Sequence, residues 1–76
     1  MTAEEFQHLV REERVNQDRK CPWAAGRRDH WARILGEEFG EVCRALNEHR
    51  DSNDLALVDE LVQLAAVAQR IAEQLP

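Results

Sequence analysis

Cysteine, proline and glycine are all scarce in this chain. There are two Cys, two Pro and three Gly in 76 residues. Two cysteines close at most one bridge, so Cys21 and Cys43 form no disulfide framework, and they read as reduced thiols of a cytoplasmic protein. They lack the spacing of a zinc site, and His8, His30 and His49 do not cluster with them. Every apolar run is short and broken by charge, so no membrane span is expected. The opening Met1-Thr2-Ala3-Glu4-Glu5 offers neither a basic nor an apolar leader region, so no secretion signal is read there. An excess of positive charge is also missing. Fifteen acidic residues face ten basic ones, a net charge of −5, which disfavours a nucleic-acid duplex as partner.

What is abundant is Ala, Leu, Glu, Arg and Gln, the composition of helices. The length fits a single domain, 1–76, and is small enough to need a metal or a partner subunit for stability. The spacing predicts a first helix over 2–18. Thr2 and Glu5 form a capping box there, and Phe6, Leu9 and Val10 share a face. Residues 19–28, with Pro22 and Gly26, read as a loop. A second helix is expected over 29–49, capped by Asp29, with Trp31, Ile34, Leu35, Phe39, Val42 and Leu46 as its apolar stripe. Gly36 and Gly40 inside it each cost about 1 kcal/mol relative to Ala, so they mark a close backbone approach, room for a ligand, or plain tolerance. Residues 50–54 form a polar turn, and a third helix follows over 53–75. So short a turn makes helices two and three an antiparallel hairpin. The third helix is apolar nearly all round, which calls for burial on several sides and for a homodimer or homotetramer sharing a helix bundle. The expected class is all-α: a helical hairpin plus an N-terminal helix, assembling as an oligomer.

The chemistry concentrates in Glu37-Glu38-Phe39-Gly40-Glu41. Residues three or four apart share a helix face, so Glu38 neighbours Glu41, and Glu37 does too. Glu60 and Gln63 repeat the spacing in a helix that is otherwise nearly all apolar, with Asp59 beside them. Glu41 lies about as far before the turn as Glu60 lies after it, so the two pairs come level across the hairpin. Converging oxygen ligands suit a hard cation such as Mg²⁺, with Mn²⁺ as substitute. The plainer alternative is a solvated acidic face paired with Arg33 and Arg44.

The run Glu37-Glu38-Phe39-Gly40-Glu41, followed after eighteen residues by Glu60-Leu61-Val62-Gln63, resembles the EExxE…ExxD signature of MazG-like all-α nucleoside triphosphate pyrophosphohydrolases. The resemblance spans about residues 13–75. Upstream, Glu13-Arg14, Gln17 and Trp23 resemble an ER…Q…W element of some small members. The resemblance implies Mg²⁺-dependent hydrolysis of a nucleoside triphosphate to the monophosphate and pyrophosphate by a homo-oligomer. Glu38, Glu41 and Glu60 match the family's metal ligands, and the family's closing Asp is Gln63 here, a neutral oxygen donor. Glu37 or Glu41 is then the candidate to take a proton from the attacking water. Lys20, Arg27 and Arg28 are candidates for the phosphates, and Trp23 for the base. A non-catalytic helical module that binds nucleotides or a partner protein is the alternative.

Overall fold

A computed structural model describes residues 1–20, 27–48 and 54–76. Among these there are three helices and no strand: α1 (Ala3–Lys20), α2 (Arg28–Glu48) and α3 (Leu55–Glu73). The expected Pro22–Gly26 and Arg50–Asn53 segments, and with them Cys21, Trp23 and His49, lie outside the described residues.

α1 opens on the capping box read from the sequence. The Thr2 amide donates to Glu5 Oε1 and the Glu5 amide donates to Thr2 Oγ1, both at 3.1 Å. This satisfies two of the free amides at the helix start, and the bond from the Thr2 amide holds the Glu5 carboxyl below its ordinary range. α1 runs on to Lys20, so Lys20 stands in its last turn and not in the following loop. At the start of α2 the cap assignment is corrected. The helix begins one residue earlier, the Arg27 carbonyl accepts from the Trp31 amide at 3.0 Å, and Asp29 sits inside the first turn. There it is gripped by Arg27 through two 3.1 Å bonds. That pairing, followed by the His30 amide, lowers its pKa to about 2. An acid within the first turn is favoured by the helix dipole without capping it.

α3 is the centre of the molecule. It packs against α2 and against α1, while α1 and α2 do not pack on each other among the described residues. The six residues joining α2 to α3 make the pair antiparallel. The buried core is Trp31, Val42 and Ala45 from α2 against Val62, Ala66 and Val67 from α3. Ala66 is fully enclosed and Ala45 is buried as well, so each helix brings a small side chain to the core. Phe39 and Leu46 are not in this α2–α3 seam as the apolar stripe implied; they are 52% and 57% exposed. The seam follows 31, 38, 42 and 45, and Phe39 is turned one helical step of about 100° away from Glu38.

The result is an open body of 41 × 25 × 21 Å. Its radius of gyration is 13.1 Å, against about 11.4 Å for a closed domain of this length. α1 and α2 flank α3 with a groove between them.

Candidate functional site: the groove over the third helix

Each helix sends one stripe of side chains into the groove. α1 contributes Glu13, Asn16, Gln17 and Lys20, α2 His30, Ile34 and Glu38, and α3 Gln63, Val67 and Arg70. Apart from the adjacent Asn16 and Gln17, the spacing within each set is three or four residues, the period that keeps side chains on one helix face. The cavity measures about 690 Å³, in the range of small-molecule sites.

One end of the groove is acidic. Glu38 is partly buried, and its carboxyl is pushed above the ordinary range, first by desolvation and then by the negative charges of Glu60, Glu41, Glu13 and Glu37. Glu41, Glu60 and Glu13 are half-buried as well, and Glu37 is exposed on the rim. The other end is cationic. His30 and Arg70 lie eight and seven residues along their helices from Glu38 and Gln63, roughly 10–12 Å at 1.5 Å per residue. Arg70 is 5% exposed and its Nε stands 3.6 Å from Asp18 Oδ1. Arg33 Nη2 lies 3.4 Å from His30 Nδ1 and adds charge at the same end.

Two oxygens decide how this site reads. Glu38 Oε2 and Gln17 Oε1 are both closed to solvent and have no hydrogen-bond partner among the described residues. Leaving a buried acceptor without a donor is costly, more so when it carries charge. Both belong to residues lining the same groove. The donor set around them is all oxygen: carboxylates of Glu13, Glu38, Glu41 and Glu60, and amides of Gln17 and Gln63. This fits a hard divalent cation, which supplies the missing positive partner and cancels the mutual repulsion.

Among the described residues no three His, Cys, Asp or Glu side chains stand together in a ready-made cage. Glu41 pairs with Arg44 at 3.3 Å and Glu13 accepts from the Gln17 amide at 3.1 Å. The Gln63 amide leans towards Asp59 at 3.5 Å.

Of the residues singled out in the sequence, Lys20, Glu38 and Gln63 line the groove together. Glu41 and Glu60 stand close enough to bear on Glu38. Arg27 and Arg28 do not line it; Arg27 is tied to Asp29, and Arg28 is exposed at the first residue of α2. Trp23 lies outside the described residues. His30, Asn16 and Arg70 also line the groove and were not singled out in the sequence. Comparison of the chain with protein-family models, with curated proteins and with solved structures gives no match.

Proposed function

We propose that the chain is a Mg²⁺-dependent nucleotide pyrophosphohydrolase, acting as a homo-oligomer on a nucleoside triphosphate to give the monophosphate and pyrophosphate. The observation that carries this reading is the pair of orphaned acceptors, Glu38 Oε2 and Gln17 Oε1, in a groove ringed by carboxylates. Glu38, Glu41 and Glu60 are the residues to hold the ion, with Gln63 and Gln17 as neutral oxygen donors. When bound, Mg²⁺, or Mn²⁺ in its place, supplies charge to a triphosphate and acidity to a coordinated water.

The chain's own residues do the rest. Lys20 and Arg70 place positive charge along the groove from the acidic end, with the His30 ring beside them, so a polyphosphate laid between the two ends meets cations that favour it. Glu37, exposed on the rim, and Glu41 are carboxylates not tied into the apolar seam, and either accepts the proton that the attacking water gives up. The apolar floor of Ile34 and Val67 offers a face for a base or sugar.

The decisive measurement is pyrophosphate release across ribo- and deoxynucleoside triphosphates, with and without Mg²⁺. Release is expected only with the metal, and Glu38→Gln and Glu60→Gln are each expected to abolish it. Undiminished turnover in both variants overturns the assignment. The substitution Gln63→Asp restores a fourth charge and is expected to tighten Mg²⁺ binding in calorimetry; no gain places Gln63 outside the ion's shell.

A second reading has an observation in its favour. Gln63 carries no charge and the carboxylates form no preassembled cage, which suits a non-catalytic module that binds nucleotides or a protein partner. It predicts nucleotide binding without turnover at any metal concentration.

A further inference from the structure

The face of α2 turned away from the groove is built for a second helix. Ala32, Gly36, Phe39, Gly40, Cys43 and Asn47 recur at helical spacing along it. A Cβ added at Gly36 or Gly40 would meet nothing within 4 Å in the chain, and Phe39 between them is half exposed. Neither glycine is explained by packing within this chain, and each weakens an exposed helix. Small residues at that spacing let another backbone come close.

The charges beside this face say what comes close. Arg33, Glu37, Arg44 and Glu48 run down one flank, all four exposed. Among the described residues Arg33 pairs with His30 and Arg44 with Glu41, both on their own helix. Among the described residues Glu37 and Glu48 enter no ion pair. The order plus, minus, plus, minus becomes its own complement when read backwards. An antiparallel copy related by a two-fold axis between Gly40 and Glu41 sets Arg33 opposite the copy's Glu48, and Glu37 opposite the copy's Arg44. Such an interface is self-complementary, as a two-fold contact must be.

We propose that α2 pairs with α2 of a second copy of this chain, antiparallel, with Gly40 at the crossing and Arg33–Glu48 and Glu37–Arg44 bridging between chains. This stands on α2 and not on the proposed reaction, and with Glu37 held across the interface it leaves Glu41 as the proton acceptor of that reaction.

Sedimentation velocity over a range of micromolar concentrations tests it. The wild type is expected to sediment as a dimer. Gly40→Arg is expected to be monomeric with unchanged helicity by circular dichroism, since the new side chain has open space in the single chain. Arg33→Glu sets acid against acid twice across the axis and is expected to weaken the dimer about tenfold. Adding Glu48→Arg is expected to restore it. A wild type that is monomeric throughout, a dimer that survives Gly40→Arg, or an Arg33→Glu defect that Glu48→Arg does not repair overturns the proposal.

Discussion

The two contacts that α3 makes are of opposite kinds. Against α2 it closes a dry seam of Trp31, Val42 and Ala45 on Val62, Ala66 and Val67. Against α1 it buries no α1 residue at all. What ties α1 down is charge: Arg14 donates from both guanidinium nitrogens to Glu73, at 2.6 and 2.8 Å, and Asp18 bridges Arg14 and Arg70 at 3.5 and 3.6 Å. Phe6, Leu9 and Val10 are only half-covered. Apolar burial is non-directional and insensitive to pH and salt, whereas exposed ion pairs are weakened by both. The hairpin is thus the body of the molecule, and α1 is a strap laid over it. The groove exists because the strap touches α3 without reaching α2.

The largest expected effect comes from breaking the seam. Trp31→Ala removes a side chain that is 5% exposed, and a change of that kind costs about 3–5 kcal/mol. A chain of this length has only about 4–11 kcal/mol to lose. Thermal melts by circular dichroism are therefore expected to show the midpoint of the whole chain lowered by roughly 12–40 °C. Arg14→Ala is the contrasting cut. It is expected to lower hydrogen-exchange protection across α1 while the α2–α3 amides keep theirs. Equal loss in all three helices would mean that the strap and the body fold as one unit.

Acid sharpens the same contrast, because the two contacts titrate in opposite directions. The bond from Arg14 holds Glu73 below the ordinary carboxylate range. Its contribution is present above the unfolded value of 4.5 and is lost as pH falls through the lower folded value. Glu38 is shifted upward, by desolvation and by Glu60, Glu41, Glu13 and Glu37. Its contribution is fully present below the unfolded value and is lost as pH rises through the folded one. As pH falls, the hairpin is therefore expected to tighten first, above 4.5, and α1 to come loose only below 4.5, and exchange rates measured along a pH series resolve the two. Parallel loss of protection in both regions contradicts this.

The body was more legible than the strap. A 3.6-residue rhythm of Trp31, Val42, Val62 and Val67 announces a hairpin, and reciprocal Thr2–Glu5 capping is a local pattern that needs no partner. Phe39 and Leu46 were misplaced because a broad apolar arc does not say which of its edges a single neighbour will cover. α3 read as apolar nearly all round, and it lies against both other helices. The contacts of α1 were not legible, since Arg14–Glu73 joins residues fifty-nine apart and many other Arg–Glu pairings were open. In the groove, the carboxylates of α2 and α3 stood out as clusters. His30 and Arg70 did not, because a lone polar residue at the end of a stripe carries no pattern until three stripes face each other.

The smallest expected effect concerns the flaw in the otherwise apolar body. Glu38 lies at the edge of the seam with one oxygen closed off and unpartnered, and with like charges around it. In the metal-free chain at neutral pH that arrangement opposes folding. Glu38→Gln removes the charge and keeps the shape. Because the carboxylate is only partly buried, solvent screens much of the repulsion, and the gain is expected to be about 0.5 kcal/mol. That is roughly 2–4 °C in melting temperature for a domain of this size. Titrated Mg²⁺ should reverse the ranking. An ion held by Glu38 stabilises the wild type in proportion to its occupancy, while the Gln variant, short of one charged ligand, responds less. A variant that melts below the wild type without metal, or that follows the wild type's Mg²⁺ response, would show that Glu38 is an ordinary surface acid. A crossing of the two curves would mean that the body tolerates a destabilising carboxylate because a cation needs it there.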